Sequence, residues 1–405
     1  SSQDIEEVVV ITSALVDTSE ITNPLYVIDG EDIVNDATTS LGDAIDSYLG
    51  VSIADYGAAV GQPIIRGMSG PRVKLLKNGM VNRDVSGLGV DHLNDVDLND
   101  ISQIEIVKGP SSLLYANGTI GGIINVVDDT ISTVNFEAPK VSLGLETQSV
   151  NDGDAQSFSY KENIAGLNFS FGYKDVNFGN YDIPSGAVMH EEEEHHDEDD
   201  HDEDEHEDEH HEEDLGYINN SDFAVEATKL GISKVGDWGY IGFGIDNLES
   251  VYGIPFHGDE HGDEHGDEDG HGDEEGHDEH GEERIFSTTD SETFTIKGSY
   301  NVNGSLVNKI DFTYRDSDYT LTEDHEEEEH DEHEEEGHDE DEEEHAPTVF
   351  ANEATEYGAI FDISNDYATQ KIVLNFVDED NSIVGEEAFM NPANNEEFTL
   401  GYYLS

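Results

Sequence analysis

Strict alternation of apolar and polar positions recurs through the second two-thirds of the chain. Leu167, Phe169, Phe171 and Tyr173 alternate with Asn168, Ser170, Gly172 and Lys174. Phe294, Ile296, Gly298 and Tyr300 alternate with Thr293, Thr295, Lys297 and Ser299, and Ile310, Phe312 and Tyr314 with Lys309, Asp311, Thr313 and Arg315. A period of two predicts strands with one aromatic-rich face and one polar face. A membrane β-barrel requires that pattern, with lipid outside and water or a plug inside, and a soluble β-sandwich produces a similar one.

Connection lengths favour the barrel. Candidate strands begin near Val141, Gln156, Leu167, Asp222, Gly239, Glu292, Asn308, Glu356, Lys371 and Glu397. Short connections at Ala165-Gly166, Val235-Gly236, Asn303-Gly304 and Asn365-Asp366 are separated by three long ones. In an up-and-down barrel every second connection lies on the same side, so the three long ones share a rim. Short turns on one side and long loops on the other is the outer-membrane arrangement, with the long loops extracellular. The chain has no run of 18 apolar residues, so a spanning structure could only be built from strands.

The first third has a different texture. Ile104 to Val127, IEIVKGPSSLLYANGTIGGIINVV, predicts a strand through Lys108, a tight turn at Gly109-Pro110 and a short helical segment from Ser111 to Tyr115. A Gly-rich turn with Gly118, Gly121 and Gly122 and a second strand follow. Pro63 to Met80, PIIRGMSGPRVKLLKNGM, predicts a strand delivering Arg66-Gly67, a turn at Ser69-Gly70-Pro71, and a strand ending in the hairpin signal Asn78-Gly79. Nearer the start, Glu6, Glu7, Val8, Val9, Val10, Ile11 and Thr12 form a short β-prone segment whose apolar edge is open for a partner.

In this order the three segments resemble the plug region of TonB-dependent outer-membrane receptors, over roughly the first third of the chain. Glu6 to Thr12 looks like the TonB box, and Arg66, Gly67, Lys108, Gly109, Pro110, Gly118, Gly121 and Gly122 look like the plug motif. The resemblance implies an N-terminal α+β plug domain followed by antiparallel transmembrane β-barrel strands in the outer membrane of a Gram-negative bacterium. It also implies outer-membrane lipid around the barrel, and TonB with its inner-membrane energising complex as partner. The expected division is 1–15 for the N-terminal segment, 16–132 for the plug and 133–405 for the barrel portion, with extracellular loops at 186–216, 255–284 and 322–347. Plugged receptors use about 22 strands, and only about ten can be placed, so the chain reads as truncated. Ser1 reads as a mature N-terminus.

Charge sharpens the picture. The 405 residues carry a formal charge of −81 and no cysteine. The tracts His190 to Asp214, His257 to Glu283 and Glu323 to His345 hold 49 of the 97 acidic residues and 18 of the 19 histidines, leaving 48 acids against 16 bases elsewhere. Blocks of like charge repel and are expected to form flexible loops, the second of them on a loose HGDE repeat.

Imidazole suits Zn, Cu, Ni and Fe, and carboxylates add oxygen ligands and a field that concentrates cations. With no cysteine and four methionines, a soft Cu(I) site is disfavoured. The candidate ligands are His190, His195, His196, His201, His206, His210 and His211 in the first tract, and His257, His261, His265, His271, His277 and His280 in the second. The third supplies His325, His330, His333, His338 and His345. Ligands spread along such loops make many weak, exchanging sites and no single closed tetrahedron.

The remaining histidine, His92, follows Asp91 in GLGVDHLNDVDL. This segment resembles the apical plug loop of the zinc-uptake branch of these receptors, which implies an Asp91-His92 pair facing the barrel lumen, completed by wall residues the sequence does not name. The function expected is uptake of a divalent metal, most readily Zn²⁺, as transported ligand and with no organic cofactor. The alternatives are a ferric siderophore or haem receptor, and a non-transporting surface cation-binding protein. No nucleophile-base constellation points to an enzyme, and no nucleic-acid partner is expected.

Overall fold

The computed structural model describes residues 25–35, 40–56, 60–89, 92–108, 120–185, 187, 216–255, 284–302, 304, 306–326, 346–385 and 388–404. The segment Glu6 to Thr12, the turn residues Gly109, Pro110 and Gly118, the helical segment expected from Ser111 to Tyr115, and Asp91 lie outside these residues. So do the tract histidines other than His325.

The first domain comprises β1 (Leu25–Asp29), α1 (Gly30–Asn35), α2 (Leu41–Ile45), β2 (Val51–Tyr56), β3 (Val60–Ile65), β4 (Val73–Lys77), β5 (Met80–Val81), β6 (Ile101–Lys108) and β7 (Gly122–Asp128). Five strands form a mixed sheet in the order β1-β6-β7-β4-β5, with β4 parallel to β7, and β2 pairs with β3. The brief α2 is held by a capping box: Ser40 Oγ accepts from the Asp43 amide, and the Asp43 carboxylate accepts from the Ser40 amide. Its apolar residues Leu41, Ala44 and Ile45 join Ile28, Ile65, Ile104, Ile106, Ile124 and Val126 in the main core.

The expected hairpin at Asn78-Gly79 forms, with φ of 52° and 83° at the two positions, the left-handed pair that a tight two-residue β-turn requires. Asn78 Nδ2 donates to the Asp128 carboxylate at 3.1 Å and pins the hairpin to β7. The expected turn at Ser69-Gly70-Pro71 appears as a 3-10 turn over Gly70–Arg72.

The rest builds one antiparallel ten-stranded sheet from β8 (Lys140–Gln148), β9 (Gly153–Ile164), β10 (Leu167–Phe178), β13 (Phe223–Gly236), β14 (Gly239–Gly253), β15 (Arg284–Asn301), β16 (Lys309–Glu326), β17 (Thr348–Asp362), β18 (Gln370–Val384) and β19 (Ala393–Leu404). A ribbon of β11 (Tyr181–Asp182) and β12 (Tyr217–Ile218) stands at the root of the first tract. Neighbours in the sheet are neighbours in sequence, so successive connections alternate between its two edges. The connections after β10, β14 and β16, where the three tracts lie, therefore leave from one edge, and the short turns after β9, β13, β15 and β17 close the other. Among the described residues no helix is long and apolar enough to cross a membrane, which says nothing of strands.

Burial along these strands is inverted relative to a soluble sandwich. The polar residues Asn168, Ser170, Lys229, Ser233 and Arg315 are buried, whereas Leu143, Leu145, Phe243, Ile245, Tyr357 and Leu400 are exposed. In water a sheet buries its apolar face. Away from the long-loop edge the polar face closes on the plug and the apolar face points outward, the arrangement a bilayer stabilises, while near that edge Phe178, Phe223, Leu248, Tyr319, Leu321 and Phe350 are buried in apolar clusters.

Several boundaries differ from expectation. The ladder carries β15 back to Arg284 and β17 back to Thr348, eight residues before the expected starts at Glu292 and Glu356. The β13–β14 turn falls on Asp237 and Trp238, because Gly236 pairs with Gly239. The third tract begins inside β16: Glu323, Asp324 and His325 pair with Ser287, Phe286 and Ile285. Cross-strand hydrogen bonds hold even charged residues extended where the strand end stands clear of lipid, a context that local propensity does not express.

Candidate functional site

The loop between β5 and β6 projects toward the long-loop edge of the wall. Its Leu93 amide donates to the Tyr252 hydroxyl at 3.2 Å, and the His92 ring meets Phe350 edge-on with centroids 5.6 Å apart. Tyr252 is one residue from the end of β14, where the second tract departs, and Phe350 is two residues into β17, where the third returns. The apical loop is therefore seated directly beneath the roots of two tracts.

Hydrogen bonds fix the loop's path. Gln62 donates from its amide to the His92 carbonyl, and Asn94 donates to the Gly61 carbonyl at 3.1 Å. Asp84 accepts from Asn82, from Ser86 and from the Asp95 amide. The Asp95 carboxyl reaches the wall, accepting from Ser291 Oγ at 2.9 Å. Burial, with the nearby Asp84 carboxylate, pushes the Asp95 carboxyl up to about 7.

Below the loop, ion pairs join plug to wall. Lys229 on β13 pairs with Asp97 at 2.9 Å, and Lys77 on β4 pairs with Asp246 on β14 at 3.0 Å. Arg83 reaches Glu379 at 3.2 Å on β18, and within the wall Arg315 on β16 reaches Glu356 at 3.2 Å on β17. Burial raises the Asp97 carboxyl, but the ammonium groups of Lys229 and Lys174 outweigh it and hold the group below its ordinary value. For Asp128 the same balance, with Lys229 and Lys77, leaves it at about 2. The sequence reading missed these partners. The available signal is scarcity: with 16 bases in the chain, a Lys or Arg at a polar, inward position of a strand is conspicuous.

The expected site residues divide. Arg66 and Gly67 form a turn with φ of 53° and 76°. Lys108 is buried, donates to the Leu49 carbonyl and lies 4.3 Å over the Tyr26 ring; desolvation, then Arg66, lowers its ammonium. Gly121 donates its amide to the Arg72 carbonyl at 3.0 Å, and a Cβ at Gly122 would crowd the Val107 carbonyl oxygen. His92 is buried against the wall at 6% exposure. His325 is exposed on β16. Among the described residues no group of three or more His, Asp or Glu side chains is placed to hold a metal ion.

Residues 17–123 match the family model TonB-dependent Receptor Plug Domain. The hemin receptor of Yersinia enterocolitica is 27% identical over 188 residues, which cover 44% of this chain and 26% of that protein. Among solved structures, the hemophore receptor HasR of Serratia marcescens superposes with a TM-score of 0.64 at 12% identity, covering 94% of this chain and 49% of that one. The copper transporter OprC superposes with a TM-score of 0.60 at 11% identity, covering 93% and 50%. The chain thus spans about half the length of these solved receptors, and likeness at such identity speaks to fold alone. Residues 17–123 are thus similar to the plug domain of TonB-dependent receptors, and the inward-polar sheet of strands after them shares the fold of solved outer-membrane receptors.

Proposed function

We propose that the protein imports a divalent metal ion, zinc foremost, in a TonB-dependent manner. The observation that carries this reading is one of placement: the strand ends flanking the three His, Asp and Glu tracts lie along one edge of the sheet, with the apical plug loop bound just beneath. Tracts of imidazole and carboxylate gather cations at that rim and exchange them readily. Asp91 and His92 then take the ion at the plug apex, and Glu6 to Thr12 pairs as an added strand with TonB. The test compares zinc bound by outer membranes carrying the intact protein with those carrying a variant that lacks the three tracts. Equal stoichiometry rejects capture by the tracts.

A second reading keeps the family and changes the cargo to haem or a ferric siderophore, as the name of the Yersinia relative suggests. Growth on chelated zinc against growth on haem or a ferric chelate, each as sole source, separates the two. If the protein only buffers cations at the surface, deleting Glu6 to Thr12 leaves growth on both unchanged.

A further inference from the structure

Where the apical loop meets β15 and β16, four oxygen-bearing side chains close a cradle. Ser291 on β15 donates to Asp95 Oδ1 at 2.9 Å, and in the β15–β16 ladder it stands directly opposite Tyr319, both side chains buried on the inward face. Tyr319 packs on Val85, the neighbour of Asp84, and the Asp95 amide donates to Asp84 Oδ2 at 3.0 Å. Asp84, then Asp95, are the charges that act most strongly on the Tyr319 hydroxyl, so the phenol is aimed at the carboxylate pair.

The protein's own groups do not satisfy this cradle. Tyr319 is 1% exposed and its hydroxyl makes no hydrogen bond, since the Val85 amide approaches the oxygen without reaching bonding geometry. A buried hydroxyl left in that state is costly. Among the described residues Asp95 accepts through Oδ1 alone. The charges facing it are Asp84, Asp246 and the ammonium of Lys77, which is itself paired with Asp246 at 3.0 Å. Asp84 accepts from Asn82, Ser86 and the Asp95 amide, neutral donors that leave its charge in place. Two carboxylates thus lack a counter-charge of their own beside an idle hydroxyl. A water molecule would satisfy the hydroxyl but not the charge.

We propose that Asp84, Asp95, Ser291 and Tyr319 bind a hard divalent cation, calcium foremost, which locks the apical loop to β15 and β16. Carboxylate and hydroxyl oxygens with no nitrogen or sulfur among them suit calcium or magnesium and not zinc or copper. An irregular set completed by water fits calcium, which takes about six to eight oxygens in flexible geometry, better than octahedral magnesium. The inference does not rest on the import reading.

The experiment is amide hydrogen exchange of residues 82–98 in the full chain in detergent at about pH 8, with calcium chelated or supplied at about 1 mM, the range of extracellular calcium sites. Calcium should slow exchange there several-fold, and magnesium at the same concentration should do clearly less. Exchange unchanged by calcium means the cradle holds water only and overturns the proposal. An equal response to magnesium marks diffuse screening of charge and overturns a built calcium site. Asp95→Asn should exchange slowly even in chelator and be indifferent to calcium; a full calcium response in that variant assigns the effect to the acidic tracts and overturns the site. Tyr319→Phe keeps both carboxylates and the packing on Val85, and should need several-fold more calcium for half its effect. An unshifted midpoint removes the phenol from the ligand set and overturns the cradle as drawn.

Discussion

The ammonium of Lys229 meets the carboxylate of Asp97 at 2.9 Å, with both side chains almost fully withdrawn from solvent. The same nitrogen donates to the carbonyls of Asp97 and Asn99 at 3.1 and 3.0 Å, so all three donors of the ammonium are used across the boundary between plug and wall. Removing one partner strands a buried charge, which typically costs about 3–5 kcal/mol, whereas neutralising both is far milder. Lys229→Met should loosen the segment from Asp97 to Asp100 and speed proteolysis of the plug in outer-membrane vesicles. Lys229→Met with Asp97→Asn should restore much of the protection. Because the Asp97 carboxyl is held below its ordinary value of 3.8, its contribution is present above that value and is lost as pH falls through the lower one.

Asp95 has the opposite sign. Its carboxyl is raised from 3.8 to about 7 by burial and by Asp84, so the docked loop holds a proton that the undocked loop releases. Docking is therefore stabilised below 3.8, and that contribution is lost as pH rises through about 7. Lys77 and Asp246 also face the group, and Ser291 bonds to it. Amide hydrogen exchange in residues 82–98, corrected for its intrinsic pH dependence, should quicken from pH 5 to pH 8. Asp95→Asn should flatten that trend, and an unchanged trend would assign it to another group.

How much of this was legible in the sequence depended on whether the signal was local. Asn78-Gly79 announced its turn because two adjacent positive φ angles admit few other residues. The alternation of Phe169 and Phe171 with Asn168 and Ser170 announced a strand, and the alternation of short and long connections put the tracts on one edge. What alternation could not say was which face is buried: that Asn168 is hidden while Phe243 is exposed follows from what surrounds the sheet. The extension of β16 through His325 was hidden because its cause is pairing with Ile285, some forty residues away in sequence. The partnerships of Arg83 with Glu379 and of Lys229 with Asp97 join distant segments and leave no periodic trace.

The space at Gly242 carries its own expectation. A side chain there would overlap Ile131, which also packs close to Gly244. Gly242→Leu should lift the linker after β7 from the wall at a cost typical of overpacking, about 1–3 kcal/mol. Pairing it with Ile131→Ala, which returns volume to the same place, should recover part of the loss. The measurement is the thermal transition of the plug in detergent for both variants. Equal transitions for the single variant and the unsubstituted protein would mean that the linker is not seated there.

If imidazole is the working ligand in the tracts, capture has a pH signature that carboxylates alone cannot give. Histidine binds a metal only when neutral, so zinc held through the tract histidines should fall away as pH drops through about 6.5. Carboxylates remain ionised to near pH 4, so a field of acids alone would hold cations across that interval almost unchanged. Equilibrium dialysis of zinc against the full chain at pH 7.5, 6.0 and 5.0 should therefore show stoichiometry falling steeply between the first two values. Replacing every tract histidine by Gln should leave a smaller, pH-insensitive remainder over the same range. Raising the salt concentration separates the two contributions further, because screening weakens the diffuse field of the acids more than it weakens a coordinate bond. A stoichiometry flat from pH 7.5 to 5.0 in the unsubstituted chain would identify the tracts as a cation-attracting surface without imidazole ligation, and would leave the choice of zinc to the plug apex alone.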